Sequence, residues 1–281
     1  FGLLVISFPI GIYVVFETDI GDDINYDYPV THLDIFRETS FYQSSFELSI
    51  GDVFVILWVF YLAIFVFSIL GPKQNFLKSI SSLISRGEYD VKLNYMFAMT
   101  KWLSILVLIS ALINFIQESF GIITVPPLGD NHLIQFFYVS LAPLLEEFVF
   151  RILLIGIPLF VLYSGRASFS YFLKCLWTPS SLNILDSKKA IFIIIFVGIA
   201  FGFAHIAFGD SWSEGKFAQA TVGGIILGWV YFRYGIVVSL LIHWATNYFI
   251  FAYAYFISQI NYVSLETAFS HPLMFTLELI F

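Results

Sequence analysis

Apolar runs long enough to cross a lipid bilayer recur along this chain, and they constrain its fold more than any other feature. A membrane-spanning helix needs about 20 mostly apolar residues, because each residue advances about 1.5 Å through a hydrocarbon layer about 30 Å thick. Seven such runs, separated by short polar breaks, cover approximately residues 1–16, 53–71, 94–117, 133–163, 190–208, 217–232 and 236–257. The sequence therefore predicts an all-α fold: a polytopic integral membrane helical bundle with about seven to eight transmembrane helices.

Composition supports the membrane assignment. The chain is 59% hydrophobic and 12% charged, whereas a soluble domain carries about 25% charged residues. The single cysteine, Cys175, excludes an intramolecular disulfide framework. The first apolar run lacks a basic leader and a small-residue cleavage site, so no cleavable signal peptide is expected. The net charge of −7, without a strongly basic patch, gives no indication of nucleic-acid binding.

Basic residues are concentrated in alternate polar breaks. The breaks 72–93, 164–189 and 233–235 contain nine Lys and Arg residues, whereas the other breaks and the tail contain only Arg37 and Lys216. Short loops rich in Lys and Arg stay in the cytoplasm. We therefore predict a multi-pass protein of the cell membrane, with a cytoplasmic N-terminus and an outside tail.

The sequence predicts three segments. Residues 1–131 hold the N-terminal membrane helices, an acidic outside loop and an amphipathic cytoplasmic loop. Residues 132–257 form the core, which contains the conspicuous polar groups. Residues 258–281 are a tail that is either an interfacial segment or a partial eighth span.

Two periodic patterns predict local structure. Apolar residues in the first basic break recur at helical spacing, which favours a helix on the inner membrane surface over a solvated linker; they are Phe76, Leu77, Ile80, Leu83 and Ile84. In the sixth run, Ala220, Gly224 and Gly228 repeat every four residues. Small residues at this spacing allow two helices to approach closely.

Three charged residues interrupt the fourth apolar run. Each charge at the centre of a membrane helix costs about 2.5–3.5 kcal/mol. Glu147 and Arg151 are four residues apart, so they share a helix face and can form an ion pair. Glu146 lies about 100° further around the helix and faces elsewhere, and Pro143 is expected to bend the helix here. An unpaired carboxylate in the bilayer indicates a functional site.

Polar partners for Glu146 are present in two later spans. His205 lies in the fifth run, and His243 and Asn247 lie four residues apart on one face of the seventh. A lone buried His or Asn is more often a hydrogen-bond partner between helices. Four such residues on three spans favour a common site.

These residues form three motifs that follow one another along the chain: Glu146-Glu147-x-x-x-Arg151, Phe201-x-x-x-His205 and His243-x-x-x-Asn247. They resemble the motifs of the CPBP intramembrane proteases, a family that includes CAAX prenyl endopeptidases of the Rce1 type and bacteriocin self-immunity proteins. The resemblance covers roughly residues 138–250, and the first three spans lie outside it.

The resemblance implies a division of roles. Glu146 and His205 would activate a water molecule for attack on a peptide carbonyl. His243 and Asn247 would donate hydrogen bonds to the developing oxyanion, while Glu147 and Arg151 would hold the helices. Since no Ser or Cys elbow lies near these groups and Cys175 is expected in a loop, a covalent nucleophile is not suggested. No cofactor is expected.

Three alternatives remain open. One carboxylate and two histidines form a plausible set of zinc ligands, although the sequence lacks an HExxH helix. Intramembrane Glu, His and Asn also line ion-coupled transporters, but no paired broken helices occur in two halves of the chain. The third alternative is a non-catalytic membrane scaffold or immunity protein that has the same residues.

The expected partners are membrane lipid and a membrane-associated or lipidated peptide, of which a prenylated CAAX-like C-terminus is one possibility implied by the resemblance. Helix rise places His243 about 10 Å from the inner end of its span and His205 nearer the outer end of its own. We predict that the groups meet in the inner half to the middle of the bilayer, in a site that is open to the cytoplasm.

Overall fold

The chain is helical in the part that the computed structural model describes, which comprises residues 2–33, 47–71, 75–87, 94–124, 131–165, 168–207 and 212–280. Within those residues there is no β-strand, and extended pairing is limited to an isolated bridge between Pro29 and Ser49. The predicted all-α class is confirmed.

The α-helices are labelled in chain order: α1 Gly2–Phe16, α2 Ile50–Leu70, α3 Phe76–Arg86, α4 Tyr95–Ser119, α5 His132–Glu147, α6 Ile157–Tyr163, α7 Phe169–Trp177, α8 Lys188–Ala207, α9 Lys216–Tyr234, α10 Ile236–Trp244, α11 Ile250–Asn261, α12 Leu265–Phe269 and α13 Pro272–Ile280. Two π-helical stretches, Phe148–Gly156 and Ala245–Phe249, continue α5 and α10, and short 3₁₀ helices occupy Val30–His32 and Pro179–Leu182.

Within the residues that the structure describes, four helical stretches are long and apolar enough to cross a membrane: Ile50–Leu70, Tyr95–Ser119, Lys188–Ala207 and Ile236–Asn261. The protein is therefore a polytopic helical membrane protein, as predicted. The remaining predicted spans are helical as well. Helix α1 is apolar but only 15 residues long, the 133–163 run is divided by a π-helical stretch, and the 217–232 run lies within α9.

The tail does not contain a further long helix among the residues described. Helix α11 ends where Tyr262 adopts the left-handed conformation, with φ +52°. Helices α12 and α13 contain five and nine residues, whereas a span needs about 20. Both helices are shorter than a complete span within 258–280, and the assignment of the tail as an interfacial segment or a partial eighth span stays a prediction.

The chain divides into two compact units. The first comprises Phe1–Ala63, Leu128–Ala142 and Asn247–Ile280, and in it α1 packs against the helix that begins after residue 247. The Tyr248 hydroxyl donates to the Ser7 carbonyl at 3.0 Å, and the Tyr253 hydroxyl donates to the Leu3 carbonyl at 3.1 Å. Gly11 makes room for the Tyr248 ring, because any Cβ at this position would collide with it.

The second unit comprises Ile64–Pro127 and Pro143–Thr246. In this unit α8 packs closely against α9, and glycines of the two helices face each other; we call this contact the α8–α9 seam. A Cβ on Gly224 would lie 3.1 Å from the Cα of Gly198, and a Cβ on Gly228 would lie 3.1 Å from the Ile194 side chain. The predicted close packing of the small-residue stripe is confirmed for these two positions, and α8 supplies matching glycines, Gly198 and Gly202.

Helix α3 confirms the predicted amphipathic helix in the first basic break. Asn75 caps its start by accepting a hydrogen bond from the Leu77 amide at 2.9 Å, and Gly87, with φ +66°, ends it. Phe76 is buried, whereas Leu77 and Ile84, seven residues apart on one face, are 63% and 81% exposed. Its location on the inner membrane surface stays a prediction.

The helix that carries the charged residues changes its geometry just after them. Pro143 lies inside α5, and the backbone remains α-helical through Glu147 before it becomes π-helical. At the end of this stretch the Ile157 amide donates to the Ile152 carbonyl five residues earlier. Pro158 follows and has no amide hydrogen to donate, which disfavours the α-helical pattern at this point.

Candidate active site

Glu147 and Arg151 form a buried ion pair within one helix. Arg151 Nη2 lies 3.1 Å from Glu147 Oε1, and the two side chains are 0% and 1% exposed. The guanidinium carbon also lies 4.9 Å from the centroid of the Phe201 ring on α8, within the range of a cation–π contact. The ion pair predicted from the four-residue spacing is present.

Helix α10 supplies two further partners for the Glu147 carboxylate. His243 Nδ1 lies 3.0 Å from Oε1, and the Ser239 hydroxyl contacts Oε2. Ser239 is completely buried and also lies 3.2 Å from the Leu227 carbonyl of α9. Glu147 is therefore enclosed by a guanidinium, an imidazole and a hydroxyl.

His243 lies between the two neighbouring carboxylates. A carboxylate can only accept hydrogen bonds when ionised, so the Nδ1 hydrogen of His243 is donated to Glu147. The other ring nitrogen, Nε2, faces Glu146 Oε2 at 3.6 Å, which is longer than a hydrogen bond. Glu147 thus fixes the orientation of a ring whose second nitrogen points toward Glu146.

Glu146 has surroundings unlike those of Glu147. Its side chain is 28% exposed. Its Oε2 atom is buried and has no hydrogen-bond partner among the residues that the structure describes. The two carboxylates therefore face different surroundings, as predicted from the helical angle. Both oxygens of Glu147 have partners, whereas Oε2 of Glu146 has no hydrogen-bond partner among the described residues.

His205 lies in the last turn of α8, and its tautomer follows from its surroundings. Nδ1 lies 2.9 Å from the Phe201 carbonyl. A carbonyl oxygen only accepts, so Nδ1 carries the hydrogen and Nε2 of the neutral ring has a free lone pair. The ring also interacts electrostatically with Glu146.

Phe201 packs between the charged groups. Its ring centroid lies 4.6 Å from that of His205 and 5.8 Å from that of His243, in both cases edge to face. Together with its contact to Arg151, this makes Phe201 the apolar centre of the cluster. Neither Phe201 nor Ser239 was assigned a contact from the sequence, although Ser239 precedes His243 by four residues and so shares its helix face.

Asn247 lies in the second π-helical stretch, four residues after His243, and is half-buried. It belongs to the first compact unit, whereas Glu146, His205 and His243 belong to the second. The structure therefore brings three of the four predicted catalytic residues together, and the role of Asn247 stays a prediction.

A zinc site was one alternative drawn from the sequence. In the described part of the chain, no three His, Cys, Asp or Glu side chains are grouped as metal ligands. Glu146, His205 and His243 are thus not grouped as a set of zinc ligands in this structure, and the expectation that no cofactor is needed stays a prediction.

Comparison with known proteins identifies one family. Residues 129–249 match the family model described as type II CAAX prenyl endopeptidase Rce1-like. No curated protein and no solved structure shows significant similarity to the chain. The matched region includes every charged or polar residue of the three motifs.

Proposed function

Because residues 129–249 match the family model described as type II CAAX prenyl endopeptidase Rce1-like, we propose that this protein is an intramembrane endopeptidase that cleaves a membrane-associated peptide by direct attack of water. A prenylated CAAX-like C-terminus is the proposed substrate class, since the family is named for it. The proposed enzyme lies in the lipid bilayer, and its substrate is bound to the same membrane.

The contrast between the two glutamates carries this proposal. Glu147 is neutralised by Arg151 and hydrogen-bonded by Ser239 and His243. Glu146 keeps a buried oxygen without a partner among the described residues, next to two imidazoles, and is still partly exposed. A carboxylate oxygen that accepts no hydrogen bond from the described residues is free to accept a proton from a water molecule, which is what a general base requires.

Glu146 and His205 together fit the activation of water. Glu146 takes one proton from water, and the free lone pair of His205 Nε2 accepts a hydrogen bond from the other hydrogen. The resulting hydroxide attacks the carbonyl carbon of the peptide. The proton held by Glu146 then passes to the leaving amine as the C–N bond breaks, which restores the carboxylate.

His243 fits the oxyanion role only when both ring nitrogens are protonated. Its Nδ1 hydrogen is donated to Glu147, so Nε2 can donate to an oxyanion only in the imidazolium form. This form also balances charge, because Arg151 and the imidazolium offset the two carboxylates. When Glu146 becomes protonated, the negative charge moves to the oxyanion, and His243 Nε2 gains a partner that exists only in the transition state. Asn247 is the proposed second donor.

A cleavage assay tests the proposal. The purified protein in lipid vesicles would be given a peptide that ends in a prenylated CAAX-like sequence. We expect Glu146→Gln to lower turnover by at least about 10²-fold, the size of a general-base contribution. Glu118→Gln, at an exposed carboxylate of α4, is the matched control and should retain activity. Turnover that is unchanged in Glu146→Gln would contradict the mechanism.

Two further measurements, the effect of a chelator and the fate of the peptide, distinguish the alternative functions. A chelator should leave turnover unchanged, because the proposed chemistry uses only side chains of this chain; loss that is restored by zinc would show that a metal takes part. A transporter would bind and move a solute without cleaving any peptide. A scaffold or immunity protein would bind the peptide and leave it intact.

A further inference from the structure

Lys216, the first residue of α9, lies at the same level as His205. Helices α8 and α9 meet closely here: a Cβ on Gly202 would lie 2.9 Å from the Phe217 carbonyl. In addition, the Trp212 amide donates to the His205 carbonyl at 3.2 Å. This hydrogen bond places Trp212, which precedes α9, next to the end of α8 that carries His205.

The Lys216 side chain is held in place by an aromatic ring. Its Nζ atom lies 3.8 Å from the centroid of the Trp212 ring, a cation–π contact. The side chain is half-buried, and its charge interacts with Glu146 and His205. An ammonium group therefore lies within electrostatic range of the base that we assign to water activation.

The ammonium group of Lys216 has hydrogen-bonding capacity to spare. It forms no ion pair with any residue in the described ranges, where the ion pairs join Glu146 and Glu147 to Arg151 and His243. An ammonium has three N–H donors, and the face of an aromatic ring satisfies at most a part of them. A partly desolvated cation with unused donors favours an anionic ligand.

The charge distribution of the second unit determines where such an anion can bind. The charges of Glu146 and Glu147 are offset by Arg151 and the His243 imidazolium, so this part of the site does not attract a carboxylate. Lys216 forms no ion pair within the described residues and therefore attracts one at the α9 end. The anion that every unmodified peptide carries is its terminal carboxylate. On this basis we propose that Lys216, held against Trp212, binds the free C-terminal carboxylate of the peptide substrate, so that cleavage occurs close to the C-terminus.

This inference rests on the proposed peptidase function, because it names the substrate feature that the same site recognises. It also orients the substrate. The residues after the cleaved bond extend toward Lys216, and the preceding residues, with any lipid group, extend the other way. Lys216 is a specificity-determining residue in this account and takes no part in proton transfer.

The test compares two peptides that differ only at the C-terminus, one a free acid and the other an amide. We expect the wild-type protein to bind and cleave the acid with a Kd and a KM about 10- to 100-fold lower than those for the amide, as expected for a charge-assisted hydrogen bond. Lys216→Met keeps the apolar stem and removes the charge. It should raise both constants for the acid to the values for the amide, with little change in kcat.

Lys174→Met, at an exposed lysine of α7, is the matched control and should keep the preference for the acid. Lys216→Arg should retain most of it, because a cation is still present. Equal binding of acid and amide by the wild-type protein would overturn the inference, as would a preference that survives in Lys216→Met. If Lys216 instead bound the phosphate of an anionic lipid, the substitution would reduce lipid retention and leave the acid-to-amide ratio unchanged, which would also overturn it.

Peptide binding and peptide cleavage are measured separately, so that the proposed peptidase function and the proposed role of Lys216 can each be contradicted without the other. A preference for the acid in binding that requires Lys216 supports this inference even where cleavage is absent, and absence of cleavage counts against the proposed function alone. Cleavage that depends on Glu146 but ignores the C-terminal group supports the function and overturns the role of Lys216.

Discussion

Glu146 and Glu147 are neighbours in the chain, but they differ in what surrounds them. Glu147 accepts hydrogen bonds from Ser239 and His243, forms an ion pair with Arg151 and is almost completely buried, so it serves to hold Arg151 and to orient His243. Glu146 retains an unused oxygen and partial exposure, so it is available to a substrate. The two residues should therefore respond in opposite ways to the same substitution.

Glu147→Gln should lower the stability of the protein, whereas Glu146→Gln should leave the fold intact and abolish turnover. Removing one partner of a buried ion pair costs about 3–5 kcal/mol, and the neutral amide would leave Arg151 buried without an anion. Thermal unfolding in detergent, measured beside turnover for both variants, checks this. The reverse order of stabilities would exchange the two assignments.

Asn247→Ala should lower kcat by about 10²–10³-fold, with a much smaller effect on KM. A donor aimed at charge that appears only in the transition state contributes little to the ground state. Asn247→Asp should be worse, because an anion would then face an anion. His243→Ala should belong to the same class, and the double variant should lose less than the product of the two effects, since both residues serve one oxygen.

Rates and binding constants for the two single variants and the double variant test the shared role. Unchanged turnover in Asn247→Ala would remove this residue from the mechanism. A transporter would instead show altered affinity for its solute and no cleavage to lose.

At the scale of the helices, the α8–α9 seam determines how the second unit packs. Glycines on both helices bring the backbones together, which sets the height of His205 on α8 relative to Lys216 on α9. The sequence identified one side of this seam, because Gly224 and Gly228 follow a four-residue repeat. It did not identify the partner helix, because a repeat within one helix does not say which neighbour it faces.

The same reasoning explains which parts of the site were predictable. The Glu147–Arg151 pair follows from spacing within one helix. The contacts of Ser239, Phe201 and Lys216 depend on the rotation and height of separate helices, which no single-helix pattern determines. Both π-helical stretches were also missed, because the apolar residues in them follow no distinct period.

Gly198→Ala should destabilise the protein, because the new methyl group would lie 2.8 Å from the backbone nitrogen of Ile225, which cannot move aside without shifting α9. Overpacking of this kind costs about 1–3 kcal/mol. Gly223→Ala is the matched control: its nearest neighbour would be the Leu106 side chain at 3.6 Å, an ordinary contact. Thermal unfolding in detergent should separate the two, and equal stabilities would contradict the close backbone contact.

At the scale of the whole molecule, two of the predictions about sidedness conflict. His205 lies 17 residues after Lys188, at the end of α8, which is about 26 Å along the helix axis from the basic 164–189 segment. If the basic segments face the cytoplasm, His205 lies near the outer face of the membrane. The prediction of a site open to the cytoplasm requires the opposite orientation of α8.

Cysteine labelling from one side of the membrane decides between them. Cys175 is buried, with 1% exposure, so single cysteines can be introduced at exposed positions with little background. From the distribution of basic residues, we expect Glu214→Cys, beside the α8–α9 connection, to react with an impermeant reagent applied outside intact cells. Ser85→Cys on α3 should react only after permeabilisation. The reverse pattern would place the site on the cytoplasmic side and contradict the orientation drawn from charge.

The Glu147–Arg151 pair joins two residues of the same helix, and this affects how the protein is made. The pair can form as soon as that helix leaves the ribosome, so the segment enters the bilayer with one net charge, on Glu146, rather than three separate charges. Ser239 and His243 are synthesised 92 and 96 residues after Glu147. During biogenesis the ion pair therefore lowers the cost of inserting this helix from the start, whereas the proposed catalytic site is complete only after α10, which carries Ser239 and His243, has been inserted.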